Sequence, residues 1–372
     1  MRILMAMSGG IDSTVSAMLL QEQGHELVGC TFRTFDSIKE SCLAREKGCC
    51  SVESIMEAKQ MAAKLGFEHH ILDFRDTFRE HVVQNFIDEY LHGRTPNPCV
   101  LCNSHIKWGV LLEAADRLGC DMIATGHYAR VVEKLHTGSD PTCSFTQHFL
   151  GLAADQSKDQ TYFLWMLTEE NLRRTIFPLG GYTKAEVRQM AAERGFEKLS
   201  KKVESQDICF VPNGDYRTFI TENTTDAGAA FAHGDYVDGE GRVVGQHSGF
   251  ANYTIGQRKG LGVALGYPAF VTKIDAEHNI VSLGRREDLL TRTVSLRNVS
   301  FRGDATRPVQ AKIRYRSQAV EAMIVPNEPN LHNGDRPQCV NLQFAEDVWG
   351  VTPGQSCVIY QDNLVVGGGI ID

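Results

Sequence analysis

Ile3-Leu4-Met5-Ala6-Met7-Ser8-Gly9-Gly10-Ile11-Asp12-Ser13 is the stretch from which the fold can be read. Ile3 to Met7 is an apolar run of the length of one buried strand. Ser13 to Gln23 follows with Val15, Met18 and Leu19 on one helical face and Gly24 as the stop. Between them, Gly9 and Gly10 let the backbone come close to a ligand. The hydroxyls of Ser8 and Ser13 and the unpaired N–H groups of the helix start add donors at the positive end of the helix dipole. Strand, glycine turn and helix in this order make a phosphate cradle, running from Ala6 and Met7 through Ile11 to Ser13. It is not a Walker loop, because no Gly-Lys-Ser/Thr follows. The plainer reading is a glycine turn with a helix cap.

Working outward, the pattern repeats. Leu27–Phe32, His70–Phe74 and Met122–Thr125 read as strands, and Val52–Leu65, Thr77–Leu91 and Ser104–Leu118 as helices, with Gly66 and Gly119 as stops. Alternating β and α units predict a parallel sheet with helices on both faces, and a ligand beyond the carboxyl ends of its strands. Residues 131–153 read as a hairpin turning at Gly138-Ser139-Asp140-Pro141. Helical segments return at Gln160–Leu167 and Lys184–Arg194, the second opened by a capping box of Thr183 and Glu186. After about residue 215 short strand-like runs are cut by turns such as Gly239-Glu240-Gly241 and Asn333-Gly334-Asp335. Val271–Ile274, Ile280–Leu283, Ala311–Tyr315, Ala322–Val325 and Ser356–Tyr360 are the strands expected there. The fold class is thus an α/β N-terminal domain (1–215), a small β-rich central domain (216–287) and a C-terminal β-barrel (288–372).

Composition fits a soluble enzyme: 372 residues, 42% hydrophobic and 23% charged. No apolar run reaches the ~20 residues that span a bilayer. The first residues run straight into Ser8-Gly9-Gly10 without a signal-peptide pattern. These features predict a cytoplasmic protein with no membrane partner. Eleven cysteines, an odd number in a long chain, argue for reduced thiols with a catalytic or metal role over a disulfide scaffold. The net charge of −8 argues against a protein that coats nucleic acid, though a local basic surface remains compatible with it.

Asn97-Pro98-Cys99-Val100-Leu101-Cys102-Asn103 carries a Cys-x-x-Cys pair. Pro96 and Pro98 predict a loop there, with Cys102 near the N-terminus of the helix from Ser104, where a thiolate is favoured. Alone, the pair suits a redox couple, half a zinc site or part of an iron–sulfur site. Cys209, in Glu204-Ser205-Gln206-Asp207-Ile208-Cys209-Phe210, reads by itself as a core residue. Cys42, Cys49 and Cys50 read as packing or loop and receive no role.

The glycine loop, 97–103, Ala124-Thr125-Gly126-His127-Tyr128-Ala129-Arg130, 158–164, 204–210, 253–262, 313–318 and 351–356 occur in an order that resembles the bacterial tRNA-specific 2-thiouridylase family over nearly the whole chain. The loop resembles the PP-loop of enzymes that split ATP into AMP and pyrophosphate, with Asp12 bearing on Mg2+. The resemblance implies that the C2 oxygen of a tRNA wobble uridine is adenylated and then replaced by sulfur relayed from a cysteine desulfurase or another sulfur-relay protein. Cys209 is then the persulfide carrier and Cys102 the second catalytic cysteine, and the two must approach each other, within reach of a disulfide bond. Thiols suit either role, being already partly ionised near neutrality.

The same resemblance puts Phe32 and Gly126 beside the adenine, and Asn97, Pro98, Cys99 and His127 at the target base. It gives Lys158, Asp159, Gln160, Arg314, Tyr315 and Arg316 to other tRNA contacts and places Gln355 near the flipped base. His127 has a plainer reading as a strand-end packing residue, and Arg258 and Lys259 as a solvated basic turn. Cys99 stands where the family often has Asp, so Cys99, Cys102 and Cys209 are also a candidate ligand set for a 4Fe-4S cluster holding exogenous sulfide. Two other readings stay open: a different PP-loop ligase or amidotransferase, and a non-enzymatic RNA-binding protein with a structural metal.

Overall fold

In the computed structural model of the chain, which describes residues 1–35, 52–137, 144–201, 208–211, 214–326 and 339–372, β1 (Arg2–Ala6) is the middle strand of a five-stranded parallel sheet. β2 (Glu26–Arg33) and β3 (His69–Asp73) lie to one side of it, β4 (Met122–Ala124) and β7 (Thr175–Ile176) to the other. All four pairings are parallel. α1 (Ile11–Glu22) leaves β1 through the glycine turn.

One side of α1, with Ala17 and Leu20, packs on Ile3, Met5, Leu27, Ala58 and Ala62. The other, with Ile11, Val15, Met18 and Leu19, packs on Leu179, Val187 and Ala191. The helix is therefore buried on two faces rather than the single face its periodicity suggests, which fixes its first turn in place. α2 (Val52–Leu65) spans the residues expected for it, and α8 (Lys184–Glu193) begins with the expected capping box of Thr183 and Glu186.

Several expectations change. α3 (Arg75–Phe78) runs through a π-helical turn, Arg79–Val83, into α4 (Gln84–Leu91). The helix placed at Ser104 starts earlier, as α5 (Pro98–Leu101), and continues through a π-helical stretch, Cys102–Val110, into α6 (Leu111–Arg117). Pro98 opens it because a first helical residue needs no N–H and already has the helical φ. The cysteine pair is thus helical, not on a loop. The helix expected at Gln160–Leu167 shrinks to one 3-10 turn, Thr161–Phe163, followed by α7 (Glu169–Arg173). β5 (Arg130–Thr137) and β6 (Ser144–Gly151) form the expected hairpin; its tip at Gly138–Pro141 lies outside the described residues. α9 (Glu197–Ser200) follows α8.

By its internal contacts the chain divides into two units. The first holds Met1–Val82, Cys99–Gly214 and Asn363–Val365, the last because Leu364 and Val365 pair with Gly151 and Leu150. The second holds Val83–Pro98, Asp215–Asp362 and Val366–Asp372. Its Asp215–Asp362 part opens with α10 (Tyr216–Asn223), a helix inside a region expected to be wholly β. A four-stranded sheet follows, ordered β10 (Phe270–Asp275), β11 (Ile280–Gly284), β8 (Gly234–Val237), β9 (Val243–His247).

The last part is a closed six-stranded barrel. Its order is β12 (Leu290–Phe301), β15 (Cys339–Trp349), β14 (Val320–Pro326), β13 (Val309–Lys312), β16 (Ser356–Gln361) and β17 (Leu364–Ile371), whose residues from Gly367 pair back onto β12. β13 ends at Lys312, so Arg314–Arg316 lie on a turn and not on a strand. The turn expected at Asn333–Asp335 lies outside the described residues.

Candidate active site

β1 ends at the sheet's carboxyl edge, where the Met7 N–H donates to the Cys30 carbonyl at 2.7 Å and the Thr31 hydroxyl to the Met7 carbonyl at 2.8 Å. The next residues fold tightly: the Ser8 N–H donates to Ser13 Oγ (3.2 Å), and the Ser13 hydroxyl to the Gly10 carbonyl (3.1 Å). Gly9 makes this turn with φ +69°, a conformation that other residues rarely take. Among the described residues no side chain caps α1. An uncapped helix start leaves its first-turn N–H groups directed at whatever anion occupies the turn, so the loop fits a phosphate group.

Asp12, in that first turn, is not open. Its Oδ1 accepts from the Tyr128 hydroxyl and the Lys184 ammonium, both at 2.8 Å, and its Oδ2 from the same ammonium at 2.8 Å. Lys184 is itself buried, with 7% exposure, and its ammonium lies 5.7 Å from the Tyr128 ring centre. Neither Lys184 nor Tyr128 was singled out from the sequence. The signal was present in the capping box: it makes Lys184 the first residue of a helix, where a cation faces the positive end of the dipole and needs a compensating carboxylate. Gly126 has a packing role here. A Cβ on it would sit 2.9 Å from Asp12 C and Ser13 N, so its lack of a side chain lets the end of β4 close on the start of α1.

His127 follows at the same edge. Its Nδ1 meets the Thr125 hydroxyl at 2.8 Å and its Nε2 meets Lys107 Nζ at 3.5 Å. An ammonium only donates, so Nε2 is the acceptor and Nδ1 carries the proton. Its ring packs on Trp108 and Phe177, with centroids 5.6 and 6.2 Å away. Burial and then the Lys107 charge hold its pKa well below the ordinary histidine value, so the ring is neutral.

Among the cysteines, Cys99 is exposed and Cys102 half-buried. Val100, Asn103 and Ile106 turn inward on their helix, and the Asn103 amide donates to the Phe163 carbonyl at 2.9 Å. Cys209 is also exposed, held by its neighbour Phe210, whose ring packs on Phe78 (5.4 Å) and Phe35 (6.3 Å). Its place next to a buried phenylalanine explains why the sequence reads as core while the thiol is not. Phe32, at the end of β2, packs on Phe74 at 5.7 Å. Glu204–Asp207 and Cys42, Cys49 and Cys50 lie outside the described residues. Among the described residues no three His, Cys, Asp or Glu side chains are grouped to hold a metal ion.

Asp159 accepts from the Ala153 and Thr161 N–H groups (2.7 and 3.0 Å), and the Gln160 side-chain oxygen from the Tyr128 N–H (2.9 Å). Lys158 lies half-buried beside them.

In the second unit, Gln355 donates to the Thr95 and Pro96 carbonyls at 2.9 and 3.0 Å, bracing the segment that carries Asn97 and Pro98. Arg314 donates to the Ile255 carbonyl at 3.0 Å and to the Thr352 hydroxyl, and lies over the Trp349 ring. It is a strut between loops. Of its neighbours, Tyr315 is half-buried and Arg316 exposed.

Three family profiles cover the chain: "tRNA methyl transferase HUP domain" matches residues 1–213, "tRNA methyl transferase PRC-barrel domain" 222–285 and "Aminomethyltransferase beta-barrel domain" 291–371. Curated relatives named tRNA-specific 2-thiouridylase MnmA match end to end. The one from Cytophaga hutchinsonii is 43% identical over 100% of this chain and 97% of its own length. That from Salinibacter ruber is 43% identical over 100% and 94%. A solved 4-thiouridine synthetase–RNA complex with bound ATP aligns with 60% of this chain and 50% of its own at a TM-score of 0.35 and 18% identity, too distant to bear on the fold. With a PP-loop at the sheet's edge, thiols on two further segments of the same unit and relatives matching over its full length, the chain belongs to the tRNA-specific 2-thiouridylase family.

Proposed function

We propose that the protein makes 2-thiouridine at the wobble position of tRNA, consuming ATP. The carrying observation is that one unit holds both the uncapped glycine turn at the start of α1 and two exposed thiols, Cys99 and Cys209, with Cys102 on the helix of the first. A carbonyl oxygen of uracil is a poor leaving group. Its attack on the α-phosphorus of ATP releases pyrophosphate, and AMP then becomes the group that sulfur displaces at C2. In this reading the α1 N–H groups and the hydroxyls of Ser8 and Ser13 hold the phosphates, and Lys184 supplies positive charge beside them. Asp12 has the oxygen chemistry for a magnesium ion, which would be carried on those phosphates and would offset their charge.

Sulfur arrives as a persulfide on Cys209 from a desulfurase or relay protein. Cys102 attacks the inner sulfur, so that the outer sulfur leaves for C2 and a Cys102–Cys209 disulfide remains. The iron–sulfur route, with Cys99, Cys102 and Cys209 as the candidate ligands, is the second reading. The methyl transfer named in the profile descriptions is not adopted, since the paired thiols serve sulfur chemistry. The proposed tRNA contacts are those of the sequence reading: Asn97, Pro98, Cys99, His127 and Gln355 at the base, and Lys158, Asp159, Gln160, Arg314, Tyr315 and Arg316 elsewhere. The divisions 1–215, 216–287 and 288–372 and a cytoplasmic location belong to the same proposal. No helix among the described residues is long and apolar enough to cross a membrane.

The test is release of AMP and pyrophosphate by the full chain. Release that depends on a tRNA with an unmodified wobble uridine, and is lost in Ser13→Ala, supports the reading. Release without tRNA, or unchanged in Ser13→Ala, removes it. Iron and sulfide assayed after anaerobic purification decide between the two sulfur routes.

A further inference from the structure

We propose that Cys99 and Cys102 form a second dithiol–disulfide couple, which resets the enzyme after each sulfur transfer. This rests on the persulfide reading above. Cys99 is the second residue of a helix that begins at Pro98, and Cys102 lies three residues further on. In an α-helix three residues advance the chain about 4.5 Å along the axis and 300° around it, which puts the two Cα atoms about 5 Å apart. A disulfide needs Cα atoms about 4.4–6.8 Å apart, which this spacing meets, and Cβ atoms about 3.5–4.5 Å apart, so closing the pair from the roughly 5–6 Å of helical neighbours takes a small adjustment of the helix's first turn. Cys99 is exposed and Cys102 half-buried. An exposed sulfur beside a less accessible one suits exchange with an outside thiol, since attack requires access to one sulfur and departure of the other. The helix start adds positive potential to whichever sulfur leaves as thiolate.

The electrons balance. Sulfur transfer turns a persulfide sulfur into the thiocarbonyl sulfur and leaves the Cys102–Cys209 disulfide. The Cys99 thiolate then attacks Cys102 Sγ: the Cys99–Cys102 bond forms, the Cys102–Cys209 bond breaks, and Cys209 leaves as thiolate, ready for the next persulfide. A small or protein dithiol attacks the exposed Cys99 Sγ, Cys102 leaves, and the dithiol departs as its own disulfide. The relay thus regenerates its carrier cysteine at once and is reduced at a site that solvent reaches.

The experiment uses the full chain with Cys209→Ser, equilibrated in mixtures of reduced and oxidised glutathione, quenched in acid and alkylated. Cleavage at Arg94 and Lys107 releases one peptide, Thr95–Lys107, carrying Cys99 and Cys102 and no other cysteine. The couple predicts that this peptide passes in one two-electron step from doubly alkylated to unalkylated and two hydrogens lighter. Two separately glutathionylated thiols would overturn it. In the second arm, Cys99→Ser is assayed with persulfide donor and dithiol. Steady-state thiouridine formation is expected to fall about tenfold more than the first turnover does. Equal falls would overturn the resetting role and leave Cys99 as pocket wall. A parent protein that shows the two-electron couple but makes no thiouridine would overturn the thiolation reading and leave the couple standing.

Discussion

Lys184 is the residue whose removal says most about the phosphate turn. Its ammonium donates to both oxygens of Asp12, and only the Tyr128 hydroxyl shares that carboxylate among the bonds described. Lys184→Met should lower stability by about 2 kcal/mol, the scale of a charged hydrogen bond lost beside a half-buried carboxylate. It should also abolish pyrophosphate release, whereas Tyr128→Phe should cost about 1 kcal/mol and retain turnover. Urea unfolding and a pyrophosphate assay check both; full activity in Lys184→Met would reduce the residue to a structural tie.

The two arginines of the barrel turn should also separate. Arg316→Ala should leave the unfolding midpoint in place and reduce the salt slope of tRNA binding by about 1. Arg314→Ala, which strips the Ile255 and Thr352 contacts, should lower the midpoint. At this scale the sequence was legible where chemistry is local, in Ser8–Ser13. It was not legible where one residue type serves either purpose. His127, Asp159, Gln160 and Arg314 sit in motifs read as RNA contacts, and each also makes bonds within the fold that the sequence does not announce: to Thr125 and Lys107, to Ala153 and Thr161, to Tyr128, and to Ile255 and Thr352.

Among the elements, the stretch from α4 to Pro98 is braced by one buried carboxylate. Glu89 has 6% exposure and accepts from Arg94 at 2.7 and 2.9 Å and from Arg297 of β12 at 3.3 Å. Burial raises its pKa, but the Arg94 hydrogen bond and the two guanidinium charges outweigh that and leave it below the usual carboxylate value. Glu89→Gln should therefore destabilise the second unit by about 2–3 kcal/mol, because two arginines lose their shared counter-charge. Unfolding followed by the tryptophans Trp349 (second unit) and Trp108 and Trp165 (first unit) would localise the loss. Helices with a start signal were read from the sequence almost to the residue, as Thr183 shows. The helix at Pro98 was displaced because proline was weighed as a breaker, although at a first helical position it is an initiator. β17 escaped because Gly367, Gly368 and Gly369 lie inside it, and glycine weakens the strand pattern that packing in the barrel nevertheless enforces.

For the whole molecule, acid stability follows from four histidines. Burial lowers the pKa of His69, His105, His127 and His247, helped by a neighbouring charge from His70 and Lys59, His81 or Lys107 in the first three, and opposed at His247 by its bond to the Asn279 carbonyl. The unfolded chain binds a proton at each near pH 6.5, and the folded chain does not until lower pH. Stability is therefore full above about pH 6.5 and falls as the pH drops through the window below it, by at most about 1.4 kcal/mol per pH unit for each histidine. Three of the four belong to the first unit, which should be the first to unfold on acidification. His127→Gln should flatten that slope; an unchanged slope between pH 7 and 5 would mean that the ring is not held neutral. The reaction moves one oxygen atom from uridine to AMP, and its mass can be followed. A tRNA whose wobble uridine carries heavy oxygen at C2 is thiolated by the full chain with ATP and a persulfide donor, and the AMP is weighed. The account predicts one heavy oxygen in AMP for each 2-thiouridine formed. Unlabelled AMP accompanying 2-thiouridine would contradict it.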